Sequence, residues 1–365
     1  MMSRPAWLKA PDWLIPAAIA LSLGLVGGKL FTIINAPMPW ILGAMFTNMV
    51  AAMSGIKARV PPLLLMVMMG VLGVMSGSSF GPEFLARIPQ WFVSLFVVVV
   101  FVFSVAVVTY YMLRRVFGYS MLNAYFCSSP GGLTMMSIIG QSMGGDVRDI
   151  ALVHSTRLAL TLAALGLWLA FTGHPPVDAM AAPAGGYSIQ VVDALILVGC
   201  MVAGLWMAER LRMDGGHFIA PMILSAAVHM AGFSEATTPS FLAAVAQVTL
   251  GSNIGTRFGN TSIRRVFDTI GIGAVTAVIS LGLAAAITAT LSAPLEVEAA
   301  ALLISLAPAG FPMMVLVAVA LNLDIAFVTI HQLARVIIVV VVGPGLIRYI
   351  AHKSGLKLRE QSFDG

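Results

Sequence analysis

The run from Trp91 to Leu113 carries no charged residue and few polar ones. A bilayer hydrocarbon core about 30 Å thick is crossed by about 20 apolar residues in helical form, and this run is long enough to do so. Val336 to Leu346, with the residues leading into it, reads the same way. Inside lipid every backbone N–H and C=O needs a partner within its own segment, so such runs fold as helices. The alternation of a lipid-facing barrel is absent. With 59% hydrophobic and 10% charged residues, against about 25% charged in a soluble domain, too few charges remain to coat a water-facing surface. The expected fold class is all-α, a polytopic integral membrane protein.

Trp13 to Ile34 follows a short basic head, Arg4 and Lys9. It exceeds a signal-peptide core and lacks a small-residue cleavage site, so it reads as a retained first helix. Cys127 and Cys200 lie in apolar surroundings and imply neither a disulfide framework nor a metal site.

The chain resembles itself when shifted by 178 residues. Gly73 and Gly77 then fall on Gly251 and Gly255, Phe80 on Phe258, Pro130 on Pro308 and Gly132 on Gly310. Met135-Met136 falls on Met313-Met314, Asp146 on Asp324 and Arg157 on Arg335. Chance matches many Leu, Val and Ala pairs in so apolar a chain, but rarely Pro, Gly, Asp and Arg in order. Two repeats are therefore expected, residues 1–178 and 179–365, with the boundary in the Lys- and Arg-free stretch from Gly173 to Tyr187. Each reads as six apolar segments: 13–34, 38–54, 61–78, 88–113, 121–142 and 148–172, then 188–208, 217–232, 240–256, 266–291, 298–320 and 325–347. The fifth segment of each repeat is interrupted, by Ser128-Ser129-Pro130-Gly131-Gly132 and by Ala307-Pro308-Ala309-Gly310-Phe311-Pro312. Proline lacks a donor and clashes with the preceding turn, and glycine eases irregular backbone.

Basic residues distinguish two topologies. If all twelve segments cross and the N-terminus is cytoplasmic, Arg87, Arg148, Arg210, Arg212, Arg257, Arg264 and Arg265 fall outside. If each fifth segment is re-entrant, everything between the two breaks changes sides and Arg87 alone remains outside. Only the second arrangement obeys the positive-inside bias. It gives two inverted repeats, each with five spanning helices and one broken, re-entrant Pro-Gly helix. Such paired broken helices are the architecture of secondary transporters.

The breaks are the first candidate site. Irregular backbone at membrane depth survives where it is buried in protein or lines a watery cavity, and a half-helix beginning near Gly131 presents free N–H groups that favour anions. Ser128, Ser129, Pro130, Gly131, Gly132 and Thr134, with Pro308 and Gly310, are the candidate contacts, although serine in a membrane helix often bonds its own backbone. Arg157 and Arg335 sit roughly ten residues into the last helix of each repeat, where a lone charge costs about 3 kcal/mol or more. They either hold an anionic substrate or donate to carbonyls freed by the breaks. His154 and His331, three and four residues before the arginines, are candidates for proton coupling. Asp146 and Asp324 open the same helices, where they suit either capping or proton or sodium coupling. The Gly73/Gly77 and Gly251/Gly255 pairs read as close helix packing.

The six histidines show no metal-ligand spacing, no Gly-rich phosphate loop ends in Gly-Lys-Ser/Thr, and no short Ser/His/Asp arrangement occurs. No metal, cofactor or enzymatic activity is expected. Ser129-Pro130-Gly131-Gly132-Leu133, followed by Gly145-Asp146-Val147-Arg148 and Arg157, resembles the membrane AbrB family. So do the second copy from Ala307 to Phe311 with Asp324 and Arg335, and Pro39-Trp40-Ile41-Leu42-Gly43. The second copy departs from the pattern at Ala309 and Pro312, which implies unequal halves. Members of that family are described as regulators of gene expression and as ammonia monooxygenases. A copper oxygenase needs clustered ligands that this chain lacks, and no basic domain outside the membrane is present to grip DNA. The expectation is a transporter of a small organic anion in the bacterial inner membrane, with both termini cytoplasmic. A regulator or sensor acting without net transport is the alternative. The expected partners are the solute, membrane lipid and a coupling proton or sodium ion, not nucleic acid, with homo-oligomerisation left open.

Overall fold

The computed structural model describes residues 13–36, 38–131, 133–172, 190–211, 215–236, 238–259, 263–343, 345–347 and 349. Among these every regular element is a helix. The first set comprises α1 (Leu14–Ile33), α2 (Pro39–Met53), α3 (Pro62–Gly77), α4 (Phe84–Arg87), α5 (Phe92–Arg115), α6 (Met121–Ser128), α7 (Leu133–Ser142) and α8 (Val147–Phe171). The second comprises α9 (Val191–Arg210), α10 (Gly216–Met230), α11 (Ser240–Thr256), α12 (Ile263–Leu291), α13 (Ala299–Leu306), α14 (Phe311–Ala320) and α15 (Ile325–Ile337). Beyond α15 the helix continues through a π-helical stretch, Ile338–Val342. Among the described residues six helices are long and apolar enough to cross a membrane, so the chain is a polytopic all-α membrane protein. The expected boundary at Gly173 to Tyr187 lies outside the described residues.

Local chemistry sets many of the ends. Proline begins α2 and α3, where its missing donor costs nothing. The Ser120 side chain caps α6, accepting from the Asn123 N–H, and the Asp324 carboxylate caps α15. Helices α3 and α11, α6 and α13, α7 and α14, and α8 and α15 each begin 178 residues apart. Packing follows the same correspondence: α2 lies on α11 as α10 lies on α3, and α8 on α12 as α15 on α5.

Helices α2, α3 and α10 are shorter than the spans expected at 38–54, 61–78 and 217–232, with 15, 16 and 15 residues. At about 1.5 Å per residue they reach only about 22–24 Å. They are held by backbone-close contacts. A side chain at Gly251 or Gly255 would run into the Ile41 or Met45 carbonyl, and one at Gly73 or Gly77 into the Phe218 or Met222 carbonyl. This is the small-residue packing that lets membrane helices approach closely.

The fifth segment of each set is two short helices around a break, and the first returns to the end it entered from. The Asp146 N–H, just before α8, donates to Asn123 Oδ1 in the first turn of α6 at 2.9 Å. Farther along, His154 of α8 bonds the Phe126 carbonyl of α6 at 2.8 Å. Helix α8 therefore runs beside α6 in the same direction, and α7 is the returning arm. In the second set α15 runs alongside α13 in the same way, with Gln332 bonding the Ile304 carbonyl and Arg335 the Ala307 carbonyl.

Candidate functional site

Each break exposes carbonyls at the end of its first arm, and the last helix of the same set satisfies them. A helix leaves its final carbonyls without intrahelical partners. At the first break His154 Nε2 donates to the Phe126 carbonyl at 2.8 Å, and Arg157 Nη1 reaches the Cys127 carbonyl at 3.5 Å. Arg157 Nη2 donates to His154 Nδ1 at 2.9 Å. This pair of bonds fixes a neutral imidazole with its proton on Nε2. At the second break Gln332 Nε2 donates to the Ile304 carbonyl at 2.7 Å and the Ala307 carbonyl at 3.3 Å. Arg335 Nη1 donates to the Ala307 carbonyl at 2.5 Å.

The two sites are one place. Gly131 of the first break stands against Arg335, whose Nε would lie 3.7 Å from a Cβ added there. Gly310 of the second break stands against Leu158, next to Arg157 in sequence. The arginines are 2% and 1% exposed and are the two largest fully buried side chains. Arg157 Nε, Arg335 Nε and Arg335 Nη2 are buried without a hydrogen-bond partner. Among the described residues the ion pairs are Arg87–Asp324 and His217–Glu209, and neither reaches the arginines. The two arginines are thus sealed from solvent with part of their donor set unused. The first turns of α7 and α14 start at these breaks and bring positive helix ends to the same region.

Pro130, Pro308, Gly131 and Gly310 form the breaks, with Gly131 at φ +152° and Gly310 at φ +89°. Ser128 Oγ donates to the Tyr125 carbonyl at 2.8 Å and Ser129 Oγ to the Gly131 carbonyl at 3.2 Å, so both serines bond their own backbone. Gly132 and the Thr134 side chain lie outside the described residues. Asp146 accepts from the Asp149 N–H at 3.3 Å, and Asp324 accepts from the Phe327 N–H at 3.0 Å while pairing with Arg87. Both carboxylates thus sit at helix starts, eleven residues before the arginines, or about 16 Å along the axis.

One expectation is corrected. His331 does not share a site with Arg335. Its Nδ1 bonds the Phe327 carbonyl at 2.7 Å and its Nε2 the Ser94 hydroxyl at 2.8 Å, and its ring packs on Phe327 and Trp91. The counterpart of His154 is Gln332, 178 residues on, and the same shift that aligned the arginines points to it. Among the described residues no three His, Cys, Asp or Glu side chains gather as metal ligands.

The model of the family described as "Transition state regulatory protein AbrB" matches residues 40–351. The chain is 22% identical to a protein of Escherichia coli (strain K12) named "Putative regulator AbrB", over 92% of this chain and 94% of that one. It is 24% identical to "Uncharacterized protein YhjN" of Bacillus subtilis (strain 168), over 94% of this chain and 95% of that one.

Proposed function

The chain belongs to the AbrB family, and from that footing we propose that it is a secondary transporter carrying a small organic anion by alternating access between two inverted halves. One observation carries the reading: two fully buried arginines, with donors unused and in no ion pair among the described residues, lie where the two broken hairpins meet. A buried charge is costly unless paired, and a carboxylate between two guanidinium groups supplies both counter-charge and acceptors in charge-assisted bonds. An anion bound there lowers the cost of bringing the two breaks together, and its departure favours their separation. Ten crossings in the bacterial inner membrane, with cytoplasmic termini, place the hairpins on opposite faces, so rocking the halves opens the site to one side at a time.

Coupling is assigned to His154. Protonating its Nδ1 removes the acceptor that Arg157 uses and adds a like charge beside that arginine, so proton and anion occupancy favour each other. Asp146, Asp324 and His331 have local structural partners and keep structural roles in this account. No catalytic activity and no cofactor are assigned. A ligand-binding regulator without net flux is the second reading, favoured by the printed name of the Escherichia coli relative.

The test is a thermal-stability screen of purified protein against organic anions, cations and neutral solutes. Binding to the folded state stabilises it by about 2.7 kcal/mol at a ligand concentration 100-fold above Kd. One class of anion is expected to raise the melting temperature of the parent, with the increment lost in Arg157→Gln and Arg335→Gln. Folded variants that respond as the parent does, or a parent that responds to no anion, would overturn the anion site.

A further inference from the structure

A groove beside the first break opens sideways, between α5 and the helix that continues α15. Its inner lining is Ser129 and Pro130 of the break, Val102 of α5 and Val339 of the π-helical stretch, all buried. Its mouth is Phe103, Val342 and Leu346, all exposed. Both helices are among those long and apolar enough to cross the membrane, so apolar side chains exposed on them face acyl chains rather than water. Depth agrees. Val102 and Ala106 lie near the middle of α5. The eight residues of α6 carry the break about 12 Å in from its entry end, well inside a hydrocarbon core about 30 Å thick.

The lining is suited to hydrocarbon. Backbone that leaves the helix at this depth has to be kept from presenting polar groups to lipid. Pro130 has no N–H to present. The Ser128 hydroxyl donates to the Tyr125 carbonyl at 2.8 Å and the Ser129 hydroxyl to the Gly131 carbonyl at 3.2 Å. The Tyr125 hydroxyl donates to the Gly343 carbonyl at 2.6 Å, tying the first arm of the hairpin to the opposite wall. The other side chains along the groove are aliphatic, aromatic or thioether. A held water needs about two to four polar partners, and here it meets hydroxyls whose protons are already committed. An acyl chain gives up nothing by entering, and it supplies the dispersion contacts that an empty groove would deny its walls.

We propose that one acyl chain of a membrane phospholipid seats in this groove and forms the outer wall of the first broken hairpin. The groove is continuous with the lipid-facing surface of α5, so a chain enters from the bilayer without any rearrangement of the protein. The site is separate from the arginines, and the inference stands or falls independently of the anion reading.

The experiment places the full chain in phosphatidylethanolamine and phosphatidylglycerol vesicles doped with a phospholipid bearing a diazirine at the middle of one acyl chain. After irradiation, adducts are mapped by peptide mass spectrometry. Adducts are expected on Ala106 and Val339 as well as on Phe96 and Val107, which are exposed on the outer face of α5. Ala106→Phe, or Ala106→Leu where the larger residue prevents folding, is expected to remove the Val339 adduct at least tenfold while Phe96 and Val107 label as before. Stripping phospholipid from the parent in detergent is expected to lower its melting temperature by several degrees. Phosphatidylglycerol should restore it, and the Ala106 variants should respond less. Adducts confined to Phe96 and Val107 in the parent would overturn the proposal, as would a Val339 adduct that survives in the variants. Labelling of Val339 in dispersed monomer but not in vesicles would assign the mouth to a second copy of the chain and overturn it too. So would a melting response to phospholipid that is equal in parent and variants.

Discussion

A guanidinium group has five N–H donors, and at the two breaks the protein itself uses only part of that set. Arg157 donates to Cys127 and His154, and Arg335 to Ala307; Nε of each remains without a partner. Scaffolding needs the bonds that are made, whereas an anion needs those that are not. His154 can be probed separately, because Gln332 makes the equivalent carbonyl bond in the second set. His154→Gln is predicted to melt within a few degrees of the parent and to bind the same anion, while uptake loses its dependence on a pH gradient. A variant whose uptake still follows the gradient would end the coupling role. Gly310 holds φ +89°, ψ +129°, a region nearly reserved for glycine, where another residue costs about 1–3 kcal/mol. Gly310→Ala should lower the melting temperature and weaken anion binding together; an unchanged melting temperature would contradict the geometry. The arginines were readable because a charge is costly in an apolar span, and the prolines because each removes a helix donor. Gln332 was not, since an uncharged amide stands out less. His331 misled because positions three and four before an arginine differ by about 100° around the helix.

At the scale of elements, the breaks and the glycine-paired helices were legible. The central packing makes its own demand. Gly255 faces the Met45 carbonyl so closely that any side chain must push α2 and α11 apart. Gly255→Leu is predicted to cost several kcal/mol, in the range of overpacked interiors and beyond the usual 1–3 kcal/mol, and to fail to give a monodisperse protein in detergent. Normal yield and melting temperature would show that the helices do not pack as described. The π-helical stretch Ile338–Val342 was hidden, because a run of isoleucine and valine reads as ordinary helix whatever its hydrogen-bond register. The shortness of α2, α3 and α10 was hidden for a related reason: apolar length marks where a helix can extend, while prolines, turns and neighbours decide where it stops.

For the whole molecule, the proposed inverted arrangement predicts that the segment 173–187 faces the side opposite the termini. A cysteine placed there in a background free of Cys127 and Cys200 should react with a membrane-impermeant maleimide from outside the cell. Labelling only after the membrane is opened would refute the inversion. The central claim, movement of an anion through the arginine site, is tested most directly by uptake into proteoliposomes. The parent and the Arg157→Gln and Arg335→Gln variants would be loaded with the anion that most stabilises the parent, and counterflow of the labelled anion would be followed. Accumulation above the equilibrium level is expected of the parent, and none of either variant although both are folded. Binding without counterflow in the parent would contradict transport and leave a ligand-sensing membrane protein in its place.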